Sequence, residues 1–157
     1  MRGMSGGMAA RGAREVRLRV VCVEPPACEW EGVRTEFGLQ DRQRALHHGQ
    51  TLADGSLAYA LTITATQRRE ADGVRFSGSF VHGTAADPFL YLSLRAVEGE
   101  PTAWIRRLKV PLVALTWDRL VAAAEGSEFN IRVSGARSGR AAVLGEGWSE
   151  GDTADTD

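Results

Sequence analysis

Gly78-Ser79-Phe80-Val81-His82-Gly83, followed after a short polar turn by Phe89-Leu90-Tyr91-Leu92, carries the clearest two-residue alternation in the chain. Period two is the signature of a strand with one face buried. Extended upstream, the run places Val74, Phe76, Gly78, Phe80 and His82 on one face of a single expected strand. Asp87-Pro88 closes the next loop and starts a second strand. There Leu90, Leu92 and Leu94 oppose Phe89, Tyr91 and Ser93.

Similar alternation continues in both directions. Upstream, Val16, Leu18, Val20 and Cys22 form one apolar row, and Val33, Thr35, Phe37 and Leu39 a second. Tyr59, Leu61, Ile63 and Ala65 alternate with threonines 62, 64 and 66, a residue type suited to a half-exposed sheet face. Ala71-Asp72-Gly73 reads as a tight hairpin turn, Asp-Gly being a strong turn signal. Downstream, Trp104 to Val110 reads as a strand ended by Pro111, which lacks a backbone donor. Phe129, Ile131 and Val133 form a further strand, and residues 141–144 a last short one. A single helix is expected over about 117–125. Thr116 is its N-cap, Asp118 sits in its first turn, Trp117, Leu120, Val121 and Ala124 form its apolar stripe, and Gly126 is its stop.

These elements predict an all-β fold, an antiparallel β-barrel or β-sandwich of about seven to eight strands with one short helix in the C-terminal half. Parallel βαβ units would need a helix between most strands. The 157 residues and 43% hydrophobic content suit one domain with a real core. Residues 16–144 are expected to form it, between a disordered leader (1–15) and a disordered acidic tail (145–157) that is poor in groups able to bury apolar surface.

The formal charge of −1 does not suit a general nucleic-acid binder. Lys109 is the only lysine, so the arginine content reads as compositional drift, and each arginine needs its own structural reason. Cys22 and Cys28 match neither a redox nor a zinc spacing and read as free thiols. No stretch resembles a secretory signal or has the length of a membrane-spanning helix, so a cytoplasmic protein with no membrane partner is expected.

His82 is the first site candidate: its alternation puts it beside Phe76 and Phe80, facing the interior or the mouth of a barrel. The competing role is a core histidine bonded to a backbone carbonyl. In Trp104-Ile105-Arg106-Arg107-Leu108-Lys109, strict alternation sets Arg106 beside Trp104 and Leu108, with Arg107 and Lys109 opposite. A charge on an apolar face requires an acidic partner or an anionic ligand, because an unpaired buried charge is very costly. Gln40-Asp41 ends a strand and either orients a ligand or begins a turn. His47-His48 lacks a third ligand at a recognisable metal spacing, so no metal and no cofactor is expected. Phosphate loops, dinucleotide fingerprints, nucleophile elbows and paired metal-binding histidines are absent from the sequence.

From about Val16 to Val143, the chain resembles a family of small bacterial proteins classed as a domain of unknown function. The likeness rests on Phe37-Gly38-Leu39-Gln40, on Gly78 to Gly83 with Phe89 to Leu92, and on Ile105-Arg106-Arg107-Leu108-Lys109. His82 stands where the family pattern has glutamine, and Asp87-Pro88 where it has a Gly-Arg pair. The resemblance implies no activity, and it argues against a family-wide reaction that uses His82. The expected function is a small-molecule-binding or interaction module, its partner an unspecified small molecule or protein and not nucleic acid. The alternative is a small barrel enzyme of isomerase or cyclase type, with His82, Tyr91 and Arg106 around an apolar cavity. Ligand contacts are expected from His82, Tyr91, Trp104, Arg106, Gln40 and Asp41.

Overall fold

Apolar residues at alternate positions give the longer strands one face that must leave water, and two sheets share that burial. The computed structural model describes residues 12–26, 29–30, 32–68, 73–97, 104–112, 114–124, 126–134 and 139–149. In chain order, the strands before the helix are β1 Ala13–Val23, β2 Glu29–Trp30, β3 Val33–Gln40, β4 Leu46–His47, β5 Gln50–Thr51, β6 Leu57–Gln67, β7 Val74–Ser77, β8 His82–Gly83, β9 Pro88–Ala96 and β10 Trp104–Pro111. Helix α1, Trp117–Ala122, leads to β11 Glu128–Ser134, β12 Gly139–Arg140 and β13 Ala142–Ser149.

The first sheet has the order β13-β11-β1-β6-β5, with β7 also on β6. The second has the order β12-β10-β9-β3-β2, with β4 on β3 and β8 on β9. The protein is therefore mainly β, built on two sheets, and forms no closed barrel. Nor is the pairing wholly antiparallel as expected: β11 runs parallel to β1 and β12 parallel to β10. A parallel neighbour requires a crossover, and from β10 to β12 the chain supplies one through α1 and β11.

The alternating rows pack as expected. Leu18 faces Leu61 and Phe129 across the first sheet, while Leu92 sits between Leu39 and Leu108 across the second. All six belong to one buried cluster that draws on both sheets and includes Trp117 and Leu120 of α1. Cys22, at the end of that row, is a free buried thiol whose burial pushes its pKa up to about 12, which leaves it protonated and inert at neutral pH. Cys28 and the Ala71-Asp72 half of the expected hairpin lie outside the described residues.

Thr116 caps α1 by accepting the Arg119 backbone N–H at 3.3 Å. The helix ends at Ala122, short of the expected 125, and Val121 is exposed, so the apolar stripe reduces to Trp117 and Leu120. Strand β13 runs through Ser149, so the boundary expected at 144 falls inside a strand. Trp148 meets Phe129 edge-on at 5.1 Å, which ties this segment to the core. At the other end β1 already begins at Ala13; residues 1–11 and 150–157 lie outside the described residues. Among the described residues no helix is long and apolar enough to cross a membrane.

The largest departure lies in the 74–82 segment, which is not one strand. Strand β7 pairs with β6 in the first sheet, and β8 pairs with β9 in the second. Gly78, at φ 140°, makes the break, in a conformation that side chains rarely adopt. The chain thus leaves one sheet at Ser77 and joins the other at His82.

Candidate functional site

Where the chain changes sheets, Gln40 ties three strands together. Its backbone carbonyl accepts a hydrogen bond from the Nε2–H of His82 at 2.9 Å. Its buried side-chain Oε1 accepts from the Ser93 hydroxyl at 2.7 Å. Since a carbonyl can only accept, His82 carries its proton on Nε2, and the neutral ring keeps Nδ1 as an acceptor. Burial lowers the His82 pKa below the ordinary 6.5; the Gln40 carbonyl opposes this, the charges of Arg107 and Arg42 lower it further, and the Asp41 charge raises it. His82 is therefore neutral at pH 7.

That state has a pH consequence. A folded imidazole pKa below the unfolded one contributes stability that is complete above 6.5 and is lost as pH falls toward the folded value. Urea unfolding of the wild type should show this loss between neutral and mildly acid pH, and His82→Gln should flatten that part of the profile. An unchanged slope in the variant would mean that His82 does not carry it.

Asp41 follows Gln40 but turns away from the crossover. Its Oδ1 accepts the backbone N–H groups of Gln43 and Ala45, each at 2.9 Å, and its Oδ2 accepts from His47 Nε2–H at 2.9 Å. Its pKa is lowered: burial acts to raise it, but the His47 bond and the two backbone bonds together outweigh burial. Asp41 is thus a loop-organising carboxylate, the turn role that the sequence offered as its alternative.

On the outward face of β9 and β10, aromatic and cationic side chains alternate. Lys109 Nζ lies 4.6 Å from the Phe89 ring centre, and the Arg107 guanidinium lies 4.1 Å from that of Tyr91. Arg44, Arg95 and Arg107 all stand within 5.5 Å of the Trp104 ring centre. Arg95 is also paired with Glu36 at 2.9 Å. The His82 ring adjoins this face, 4.9 Å from Tyr91 and stacked at 6.0 Å on Phe89.

Beside His82 the crossover leaves an open cleft of about 400 Å³, lined by Arg42, Arg75, Phe76, Ser77, Val81, Gly83, Thr84 and Ala85 as well. None of the described lining residues is acidic. Other concavities differ in character. One of about 410 Å³ between α1 and Trp148 includes both Arg14 and Glu15, and one of about 390 Å³ holds His47, His48 and Tyr59. Among the described residues no group of three His, Cys, Asp or Glu side chains is placed to hold a metal ion.

A family model covers residues 16–149 of the chain. The chain belongs to a family of unknown function (DUF5990). No curated protein and no solved structure matches it.

For this DUF5990 member, the structure gathers His82, Tyr91 and Gln40 into one neighbourhood, with Trp104 at its far end through Arg107. It separates Arg106 from them. A register shift between Trp104 and Arg106 takes Ile105 out of the ladder, which puts Trp104 on the face of Arg107 and leaves Arg106 opposite Leu94. Strict alternation had placed Trp104 with Arg106. His82, Tyr91 and Arg106 therefore do not converge as the enzyme alternative required. Arg42, Arg75, Ser77 and Thr84 were not singled out from the sequence. They lie on three separate segments, and nothing in their spacing brings them together.

Proposed function

We propose that this protein is a small-molecule-binding domain whose ligand occupies the cleft at the crossover from β7 to β8. The observation that carries the reading is the cleft itself: about 400 Å³, lined by Arg42, Arg75, His82 and the hydroxyl-bearing Ser77 and Thr84. That volume lies in the range of small-molecule sites. Its walls come from two hydrogen-bonded strands and from a histidine locked to Gln40, so the site is preorganised.

A thermal-shift screen against a metabolite library tests this. A ligand at about a hundred times its Kd stabilises the native state by about 2.7 kcal/mol. At least one compound should raise the melting temperature, and Ser77→Trp, which fills the cleft from an exposed position, should abolish that rise. Val121→Trp, beside the α1 concavity, should leave it intact. A rise that survives Ser77→Trp, or a library with no stabilising compound, would contradict the assignment.

A further inference from the structure

We propose that the crossover cleft takes its ligand by an oxyanion, a carboxylate or phosphate group, gripped between the guanidinium groups of Arg42 and Arg75. The proposal rests on the cleft being a ligand site and specifies the chemistry it accepts.

Three observations lead to it. First, the described lining of the cleft contains two arginines, two hydroxyl-bearing side chains and a histidine, but no carboxylate. Second, among the described residues neither the Arg42 nor the Arg75 side chain is engaged in an ion pair or hydrogen bond. By contrast, Arg95 is paired with Glu36, Arg17 donates to the Gly126 carbonyl, and Arg119 donates to the Ala114 carbonyl. Two cations with no acidic partner among the described residues, on a chain whose net charge is −1, mark a local field out of balance with the whole. Third, Asp41, beside Arg42 in sequence, is committed to its own loop and His47, and Glu36 to Arg95; Glu70 and Asp72, near Arg75 in sequence, lie outside the described residues.

The arginines reach the cleft from different sheets. Arg75 lies on β7, and Arg42 follows β3, its backbone N–H donating to the Ser79 carbonyl at 2.7 Å. An oxyanion between them would accept two planar forks, the geometry that guanidinium groups match best. Thr84 Oγ1 already accepts the Asp87 backbone N–H at 3.2 Å, which leaves its hydroxyl proton available to donate to an anion. In the ligand-free protein His82 is neutral at pH 7, so the fixed positive charge of the cleft comes from the two arginines. If the His82 Nδ1 takes part it does so as an acceptor, which suits a hydroxyl on the ligand and not a second anionic oxygen.

Isothermal titration calorimetry of the full chain with inorganic phosphate, glucose 6-phosphate, succinate and glucose tests the proposal, with the Arg42→Gln/Arg75→Gln double variant alongside. Both arginines are exposed, so the variant should fold like the wild type, and circular dichroism verifies that. At least one oxyanion should bind, glucose should not, affinity should fall with ionic strength, and the double variant should weaken binding by about tenfold or more. Arg75→Lys should recover part of the loss by restoring charge without the fork. Equal binding of phosphate and glucose 6-phosphate would identify the free ion as sufficient, tighter glucose 6-phosphate a phosphate ester, and tighter succinate a carboxylate.

Glucose binding as well as glucose 6-phosphate, or full affinity in the double variant, would overturn the oxyanion proposal. Binding by none of the four probes would overturn it too. In each case the cleft assignment would stand or fall separately, on whether Ser77→Trp removes the stabilisation found in the metabolite screen.

Discussion

Replacing Leu92 with alanine should lower the free energy of unfolding by about 3 kcal/mol and the melting temperature by roughly 10 °C. Leu92 is fully buried, with Leu39 directly across on β3 and Leu108 directly across on β10. Deleting its isobutyl group removes the middle of that three-strand row and leaves a cavity that neighbours held by two ladders cannot readily fill. Its sequence neighbours Tyr91 and Ser93 lie on the opposite face of β9, Tyr91 in the aromatic–cationic row and buried Ser93 bonded to Gln40. Loosening β9 therefore reaches the site as well as the core. Leu144→Ala, at a position 55% exposed, should change stability by no more than about 0.5 kcal/mol. Urea unfolding of both variants measures the contrast, and equal losses would mean that the sheets do not face each other as described.

Gly83→Ala should destabilise by about 2 to 4 kcal/mol, combining a left-handed backbone penalty with a steric one. Gly83 sits at φ 88°, and a Cβ there would run into the Asp87 carbonyl oxygen and come within 2.7 Å of the Phe89 ring. The Asp87 oxygen is backbone and cannot rotate away, so the β8–β9 hairpin must open to admit the methyl group. Opening it pulls His82 from the Gln40 carbonyl, so the proposed ligand binding should weaken along with stability. Gly145→Ala is the control: an added Cβ there meets nothing within 4 Å and φ is ordinary, so stability should stay within about 0.5 kcal/mol of wild type. A Gly83→Ala variant as stable as wild type would place the 82–89 hairpin elsewhere.

The reach of the sequence has a physical boundary here. Rows such as Val16-Leu18-Val20-Cys22 and Leu90-Leu92-Leu94 were legible because burial imposes period two on one strand, whatever its partner. Partners and direction were not, since the alternation of β1 is identical beside a parallel β11 or an antiparallel one. Alternation also runs unbroken through Gly78, although the backbone there changes sheets. It likewise gives no warning of the register shift at Ile105 that moved Trp104 to the face of Arg107. Alternation points His82 inward beside Phe76 and Phe80, whereas the break at Gly78 sets its half-buried ring against Phe89 and Tyr91; its bond to a backbone carbonyl is the simpler of its two expected roles. Arg42 and Arg75 were hidden by an arginine-rich composition. Only the fold shows which arginines line one cleft and have no acidic partner among the described residues.

The proposed entry of ligands at the crossover between the sheets is open to amide-resolved NMR of the ¹⁵N-labelled protein, titrated with pools of phosphorylated and carboxylated metabolites. Concentration-dependent shifts should be confined to Arg42, Arg75, Ser77 and His82 to Ala85, with the α1 and Trp148 amides unmoved. Shifts centred on Leu120, Ser127 and Trp148, or none anywhere at saturating concentration, would contradict it.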